Sequence, residues 1–139
     1  MKFLHSMVRV ADVEKSLDFY TKALGLIETK RFDVPEGKFT LIYLATALGQ
    51  PEVELTHNWG SNEQYDSGRN FGHLAFAVDD IYQFCQNIID MGITLNRPPR
   101  CGHMAFIKSP DGISIELLQK GAKLAPQEPW LSMESIGSW

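Results

Sequence analysis

One stretch of this chain occurs twice, and each copy carries a histidine and, further on, a glutamate. The first copy begins His5-Ser-Met-Val-Arg-Val10-Ala-Asp12-Val13, and the second begins His73-Leu-Ala-Phe-Ala-Val78-Asp-Asp80-Ile81. Both fit H-x-x-x-x-V-x-D-[VI]. Downstream, Val53-Glu54-Leu55 corresponds to Ile115-Glu116-Leu117. The fold must therefore accommodate one unit built twice. Taken singly, a strand histidine is an ordinary core or surface residue. A glutamate between apolar neighbours is the wet face of an amphipathic strand. Recurrence at equivalent places sets another reading beside that one, a metal site with two imidazole and two carboxylate ligands. Such nitrogen and oxygen donors suit Ni, Co, Zn, Mn or Fe better than a thiolate-seeking metal.

The hydrophobic pattern gives both copies the order β-α-β-β-β. In the first, Leu4 to Val10 is strand-like and Asp12 is a good N-cap. Val13, Leu17, Tyr20 and Leu24 then recur at helical spacing until Gly25. Glu28 to Phe32 reads as a weak strand, Pro35-Glu36-Gly37 as a turn, and Phe39 to Leu44 and Val53 to His57 as strands around a loop from Ala47 to Pro51. In the second, Leu74 to Val78 is a strand, and Asp80 with Gln83 forms a capping-box pattern. Ile81, Phe84, Cys85 and Ile88 make the apolar helix face, and Gly92 ends it. Leu95 to Arg97, Met104 to Lys108 and Ile113 to Leu118 are strands, the last two joined by the turn Ser109-Pro110-Asp111-Gly112. The expected architecture is α+β, with two tandem βαβββ modules forming a curved, barrel-like mixed sheet. One domain spans 1–120, with module one at 1–58, a linker at 59–71 and module two at 72–120. An irregular tail, 121–139, should lie on the body, because Trp130 and Trp139 are poor choices for a free tail.

Composition narrows the function. At 139 residues, with 44% hydrophobic and 22% charged content, the chain reads as one soluble globular domain. A net charge of −4 without a basic block argues against nucleic acid. No apolar run approaches the roughly 18 residues a membrane span needs. Cys85 and Cys101 follow no metal-binding spacing and read as a reduced pair. No signal peptide is evident, so the expected location is cytoplasmic.

Strand parity decides which residues can share a site. His5, Met7 and Arg9 point one way, and Leu4, Ser6, Val8 and Val10 the other. Glu54, Thr56 and Asn58 share a face opposite Val53, Leu55 and His57. Ser114, Glu116 and Leu118 lie opposite Ile113, Ile115 and Leu117. Arg9 and Asn58 thus fall beside the candidate ligands, where they suit an anionic or amide-bearing substrate. His57 and His103 have no repeat partners in ligand positions and read as non-ligands. Met7, Phe39, Phe76 and Met104 read as core or pocket lining, core being favoured.

Several segments resemble the glyoxalase I (lactoylglutathione lyase) family of the vicinal oxygen chelate superfamily. These are Met7-Val-Arg-Val, Ser16-Leu-Asp-Phe-Tyr-Thr-Lys-Ala-Leu-Gly25, Glu54-Leu-Thr-His-Asn-Trp-Gly60, Phe71-Gly-His73 and Ser109-Pro-Asp-Gly-Ile-Ser-Ile-Glu116. The resemblance covers nearly everything from His5 to Leu118. It implies His5, Glu54, His73 and Glu116 as metal ligands. It implies Glu116 as catalytic base, with Glu54 sharing the role for the other substrate stereoisomer. It also implies glutathione contacts through Arg9, Asn58 and Arg69, and a homodimer whose sites are shared between chains. The short chain resembles the nickel- or cobalt-activated bacterial type, with zinc the alternative, whereas Arg69 matches the eukaryotic type. Two departures stand out. The eukaryotic Lys before Gly-Leu-Ala-Phe is missing from Gly102-His103-Met104-Ala105-Phe106, which leaves Arg100 as its candidate replacement. A Trp two residues before the last Glu is Ser114 here, which leaves the choice of 2-oxoaldehyde open. The implied reaction is isomerisation of the methylglyoxal–glutathione hemithioacetal. Competing readings are an extradiol-type dioxygenase, a thiol transferase acting on an antibiotic, and a non-catalytic small-molecule-binding protein.

Overall fold

The structure, a computed structural model, describes residues 1–139. The chain divides into two compact units, Met1–Asp66 and Ser67–Trp139. No helix is long and apolar enough to cross a membrane.

The first unit contains β1 (His5–Arg9), α1 (Val13–Leu17) running into a π-helical turn (Asp18–Ala23), β2 (Ile27–Val34), β3 (Phe39–Ala45) and β4 (Glu52–Asn58). Its four strands lie in the order β1-β4-β3-β2. β1 runs parallel to β4, and the other pairings are antiparallel. Alternation places Val8, Val10, Ile42, Leu44, Val53 and Leu55 on one face, buried with Phe19 and Tyr20. The Asp12 carboxylate accepts the Lys15 amide at 3.0 Å and so caps the first helix.

That helix departs from the expected winding. The Thr21 hydroxyl donates to the Leu17 carbonyl at 2.6 Å, occupying the acceptor that a regular α-turn would use. The backbone then closes a wider turn, with the Leu24 amide on the Phe19 carbonyl at 3.1 Å. The inward face shifts as a result. Ser16, Phe19, Tyr20 and Ala23 are buried, while Val13, Leu17 and Leu24 are only half-buried. β2 extends beyond Glu28 to Phe32 because its pairing with β3 runs from Ile27 to Val34. Its charged residues Lys30, Arg31 and Asp33 guard an open edge and mask the usual apolar alternation.

The second unit repeats the plan with β5 (His73–Val78), α2 (Ile81–Asp90), β6 (Leu95–Arg97), β7 (Met104–Lys108) and β8 (Ser114–Gln119), ordered β5-β8-β7-β6. β5 is parallel to β8, as β1 is to β4. Ile81, Cys85 and Ile88 of α2 are buried, as are Ile107, Ile115 and Leu117 of the sheet. The Asp80 carboxylate accepts the Tyr82 and Gln83 amides, each at 3.0 Å. The capping box is one-armed. The Gln83 side chain turns along the helix to Asn87 at 3.0 Å, and the Ile81 amide donates instead to the Gln119 side chain at 2.9 Å. The β7–β8 turn forms as expected, with the Gly112 amide on the Ser109 carbonyl and Gly112 at φ +80°.

After Gln119 the chain has no helix or strand, yet it is fastened to its own unit. Trp130 is 4% exposed and stacks on Tyr82, with ring centroids 5.9 Å apart and planes 14° apart. The Tyr82 hydroxyl donates to the Ala125 carbonyl at 2.9 Å. Asn96 holds Ile136 twice, through its carbonyl at 2.8 Å and its side-chain amide at 3.0 Å. Gly102 lets the tail pass closely, since a Cβ there would overlap the Leu124 carbonyl. Tyr82 therefore joins the buried face of α2, and Phe84 is only half-buried. Trp139 remains 46% exposed.

Candidate metal centre

Each unit brings one histidine and one glutamate together, by the same register. In the parallel β1–β4 pair His5 lies opposite Glu52, so Glu54 is two residues further along the same face. In the parallel β5–β8 pair His73 lies opposite Ser114, and Glu116 is again two residues further. The outcome is the same twice over: His5 Nε2 is 3.0 Å from Glu54 Oε2, and His73 Nε2 is 3.0 Å from Glu116 Oε2. The carboxylates are largely covered, whereas the imidazole side chains are 39% and 42% exposed.

An aromatic ring backs each pair. Tyr43 on β3 lies opposite Glu54 and meets His5 edge-to-face, at 5.7 Å and 81°. Phe106 on β7 lies opposite Glu116 and meets His73 at 5.5 Å and 83°. The Glu54 carboxylate also accepts a hydrogen bond from the Thr56 hydroxyl at 3.3 Å. Burial, with the hydrogen bond to Glu54 and the nearby negative charges of Glu54 and Glu52, pushes the Tyr43 phenol up to about 12. It is thus a donor at neutral pH. Glu52, opposite His5, faces other partners. It accepts from Thr29 Oγ1 and, at 2.8 Å, from Lys30 Nζ, which hold its carboxyl below the usual range. Its counterpart in the second unit is Ser114, whose buried hydroxyl meets no partner.

These donors fit a divalent cation. With metal–ligand bonds of about 2.1 Å, two ligands at a right angle stand about 3.0 Å apart. A hydrogen bond from a protonated imidazole would have the same length. The pair recurs at one register offset in two separate sheets. Neither unit gathers three or more His, Cys, Asp or Glu side chains that could hold a metal ion.

The remaining candidates separate into two groups. Arg9 lies opposite Thr56 on the ligand face, and Asn58 is two residues beyond it, on the same side as Glu54. Trp59 secures that strand end, its indole donating to Thr40 at 2.9 Å. Arg69 is exposed in the turn that precedes β5. Arg100 is engaged by the tail, donating to the Met133 carbonyl at 2.8 Å and to the Ser135 hydroxyl at 2.9 Å. His57 faces away from Glu54 and has its Nδ1 3.2 Å from the Val10 carbonyl. Met7, Phe39, Phe76 and Met104 are not core residues. Met7 is 42% exposed and the other three are half-buried. For Met7, Phe39 and Met104 the reason is parity, since all three share the ligand face. Thr56 follows from parity along its own strand, whereas Tyr43 escapes a pattern search because the signal lies in the β3–β4 register.

Residues 2–117 match the Glyoxalase/Bleomycin resistance protein/Dioxygenase superfamily. A probable lactoylglutathione lyase of Synechocystis sp. is 42% identical over 132 residues, 88% of this chain and 98% of that protein. The lactoylglutathione lyase of Neisseria meningitidis is 42% identical over 127 residues, 86% of this chain and 91% of that one. Among solved structures, the trypanothione-dependent glyoxalase I of Leishmania major superposes with a TM-score of 0.81 at 35% identity, covering 86% of each chain.

Proposed function

The chain belongs to the Glyoxalase/Bleomycin resistance protein/Dioxygenase superfamily, and from that premise we propose that it is a lactoylglutathione lyase. Its substrate is then the hemithioacetal formed from methylglyoxal and glutathione, and its product S-lactoylglutathione. The observation that carries this reading is the matched His–Glu pair in each unit. A dioxygenase of two histidines and one glutamate would leave one carboxylate idle.

His5, Glu54, His73 and Glu116 would hold one divalent ion, nickel or cobalt in preference to zinc. When bound, that ion supplies the positive charge that stabilises the oxygens of an enediolate. The protein's own task is to move the carbon-bound proton, while the hemithioacetal hydroxyl proton passes from the C1 oxygen to the C2 oxygen. Glu116 takes the proton from C1, and the electron pair left behind forms the enediolate. The same carboxyl returns the proton to C2, so no oxidant or reductant is needed. Arg9 and Asn58, on the ligand face of module one, and the exposed Arg69 bind the charged and amide groups of glutathione. Arg100 could take the glycyl carboxylate only by leaving Met133 and Ser135.

Each unit carries two ligands, so a complete site needs two units together. The proposed assembly is a homodimer in which module one of one chain meets module two of its partner. The free cysteines accord with a reducing cytoplasm. The test is to strip metal, add back Ni, Co, Zn or Mn, and follow thioester absorbance from the hemithioacetal. Activity with nickel or cobalt several times that with zinc is expected. No thioester with any ion would reject the reading.

A further inference from the structure

The two carboxylates of the half-sites are not equivalent, and the difference lies in their neighbours. Glu54 has Tyr43 directly opposite it on β3, and Thr56 two residues on along its own strand. The matching places around Glu116 hold Phe106 and Leu118. The rings of Tyr43 and Phe106 sit alike against their histidines, within 0.2 Å and 2°. What the first unit has and the second lacks is therefore hydroxyl groups. The Thr56 hydroxyl donates to Glu54 Oε1, Oε2 is turned to His5, and the Tyr43 phenol stands on the facing residue of β3. Around Glu116 the same two positions offer only carbon. A carboxylate with both oxygens occupied is fixed as a ligand. One with no donor but its histidine is free to swing and to exchange a proton.

We infer that Tyr43 and Thr56 are positioning residues that hold Glu54 as a static ligand and thereby leave the proton transfer to Glu116. The inference rests on the isomerase reading above. Tyr43 is the cleaner probe of the contrast, since Tyr43→Phe recreates the ring of the second unit without a change of shape. Lys30 adds to its anchorage, with its ammonium 4.3 Å from the Tyr43 ring centroid.

The decisive experiment is a double-mutant cycle on the metal-loaded full chain. In the natural background Glu116→Gln should lower kcat by about a hundredfold or more. In Tyr43→Phe/Thr56→Val it should cost at least about tenfold less, because the released Glu54 can serve as base. An equal penalty in both backgrounds overturns the inference. A structural role alone would slow both backgrounds and leave the ratio untouched. The second readout needs no turnover. Competition with a chromophoric chelator should show nickel bound about tenfold or more weakly by Tyr43→Phe/Thr56→Val, since the ligand is no longer held in place. Unchanged nickel affinity also overturns the inference. Should that double variant misfold, Phe106→Tyr provides the converse. A hydroxyl placed opposite Glu116 should lower kcat about tenfold with KM unchanged, and an undiminished kcat counts against the idea. The isomerase reading fails separately, when the unmutated protein binds nickel but forms no thioester. The chelator measurement then still decides whether Tyr43 and Thr56 hold Glu54. An unmutated protein that binds no nickel overturns both.

Discussion

Trp130→Ala tests how the tail is held. Trp130 is the only fully buried side chain after Lys120, with Leu124 and Met133 half-buried, so it is the segment's main apolar anchor. Burying an indole removes about 200 Å² from water, or about 5 kcal/mol at 25 cal/mol per Å². Measured Trp→Ala losses in cores are about 3–5 kcal/mol. Against this stand the tail's hydrogen bonds, each worth about 1 kcal/mol net, and an ordering cost of about 1 kcal/mol or more per residue fixed. The hydrogen bonds alone cannot hold the segment. Without the anchor it should detach while the sheet beneath it stays folded. Amide hydrogen exchange reads this directly. The Ile136 amide, on the Asn96 carbonyl at 2.8 Å, and the Leu124 amide, on the Gly102 carbonyl at 2.9 Å, should exchange faster in the variant. The factor should be between about a hundred and a few thousand, bounded by the tail's opening free energy in the parent. Strand amides of Ile107 and Ile115 should keep their protection. If Ile136 and Leu124 stay as protected as in the parent, Trp130 is not the anchor and the argument fails.

Arg9→Ala should raise KM for the hemithioacetal roughly ten- to a hundredfold with little change in kcat, for loss of a charge-assisted contact of about 1.5–3 kcal/mol; an unchanged KM would move the glutathione contact elsewhere. His5→Ala and Glu116→Gln chains, each inactive alone, should regain part of the activity when refolded together, because one site of the heterodimer collects both lesions and the other is intact. A dead mixture with proven heterodimers would mean that sites are built within single chains. Iodoacetamide near neutral pH should label Cys101 and spare Cys85. Burial pushes the Cys85 thiol up to about 12. At Cys101 burial also opposes ionisation, but hydrogen bonds from the Met104 and His103 amides and from Arg97 outweigh it and lower the thiol's pKa. Peptide mapping decides, and equal labelling would contradict the assignment.

The candidate ligands were legible because parity and repetition are sequence properties. His5 and His73 pair with Glu54 and Glu116 as the alternating pattern requires, and most strand limits fall within a residue or two. What stayed hidden depends on contacts between distant segments. The π-helical turn follows from one hydroxyl, on Thr21, competing for a carbonyl. Tyr82 looked like an outward position on α2 because its partner, Trp130, lies 48 residues away in a segment with no periodicity. The contacts of Arg100 with Met133 and Ser135 were hidden, because nothing in sequence shows the tail reaching it. The place of Tyr43 opposite Glu54 required a register, which no single strand encodes. Phe39 and Met104 read as core because large apolar residues usually are, and the ligand face breaks that habit.

The shared two-residue offset makes each half-site all-or-none with respect to strand phase. Losing one residue between Pro51 and Glu54, or between Gly112 and Glu116, would not move the carboxylate slightly. It would send that carboxylate through the sheet into the hydrocarbon interior and bring Leu55 or Leu117 out to face the histidine. The loops are under no such restriction. The 49 residues from His5 to Glu54 and the 43 from His73 to Glu116 reach the same geometry. Natural variation in length should therefore collect in the turns and arrive in the strands only by twos. Engineered insertions can be placed on the same principle, with the ligand spacing in sequence left to drift and the phase of β4 and β8 held fixed.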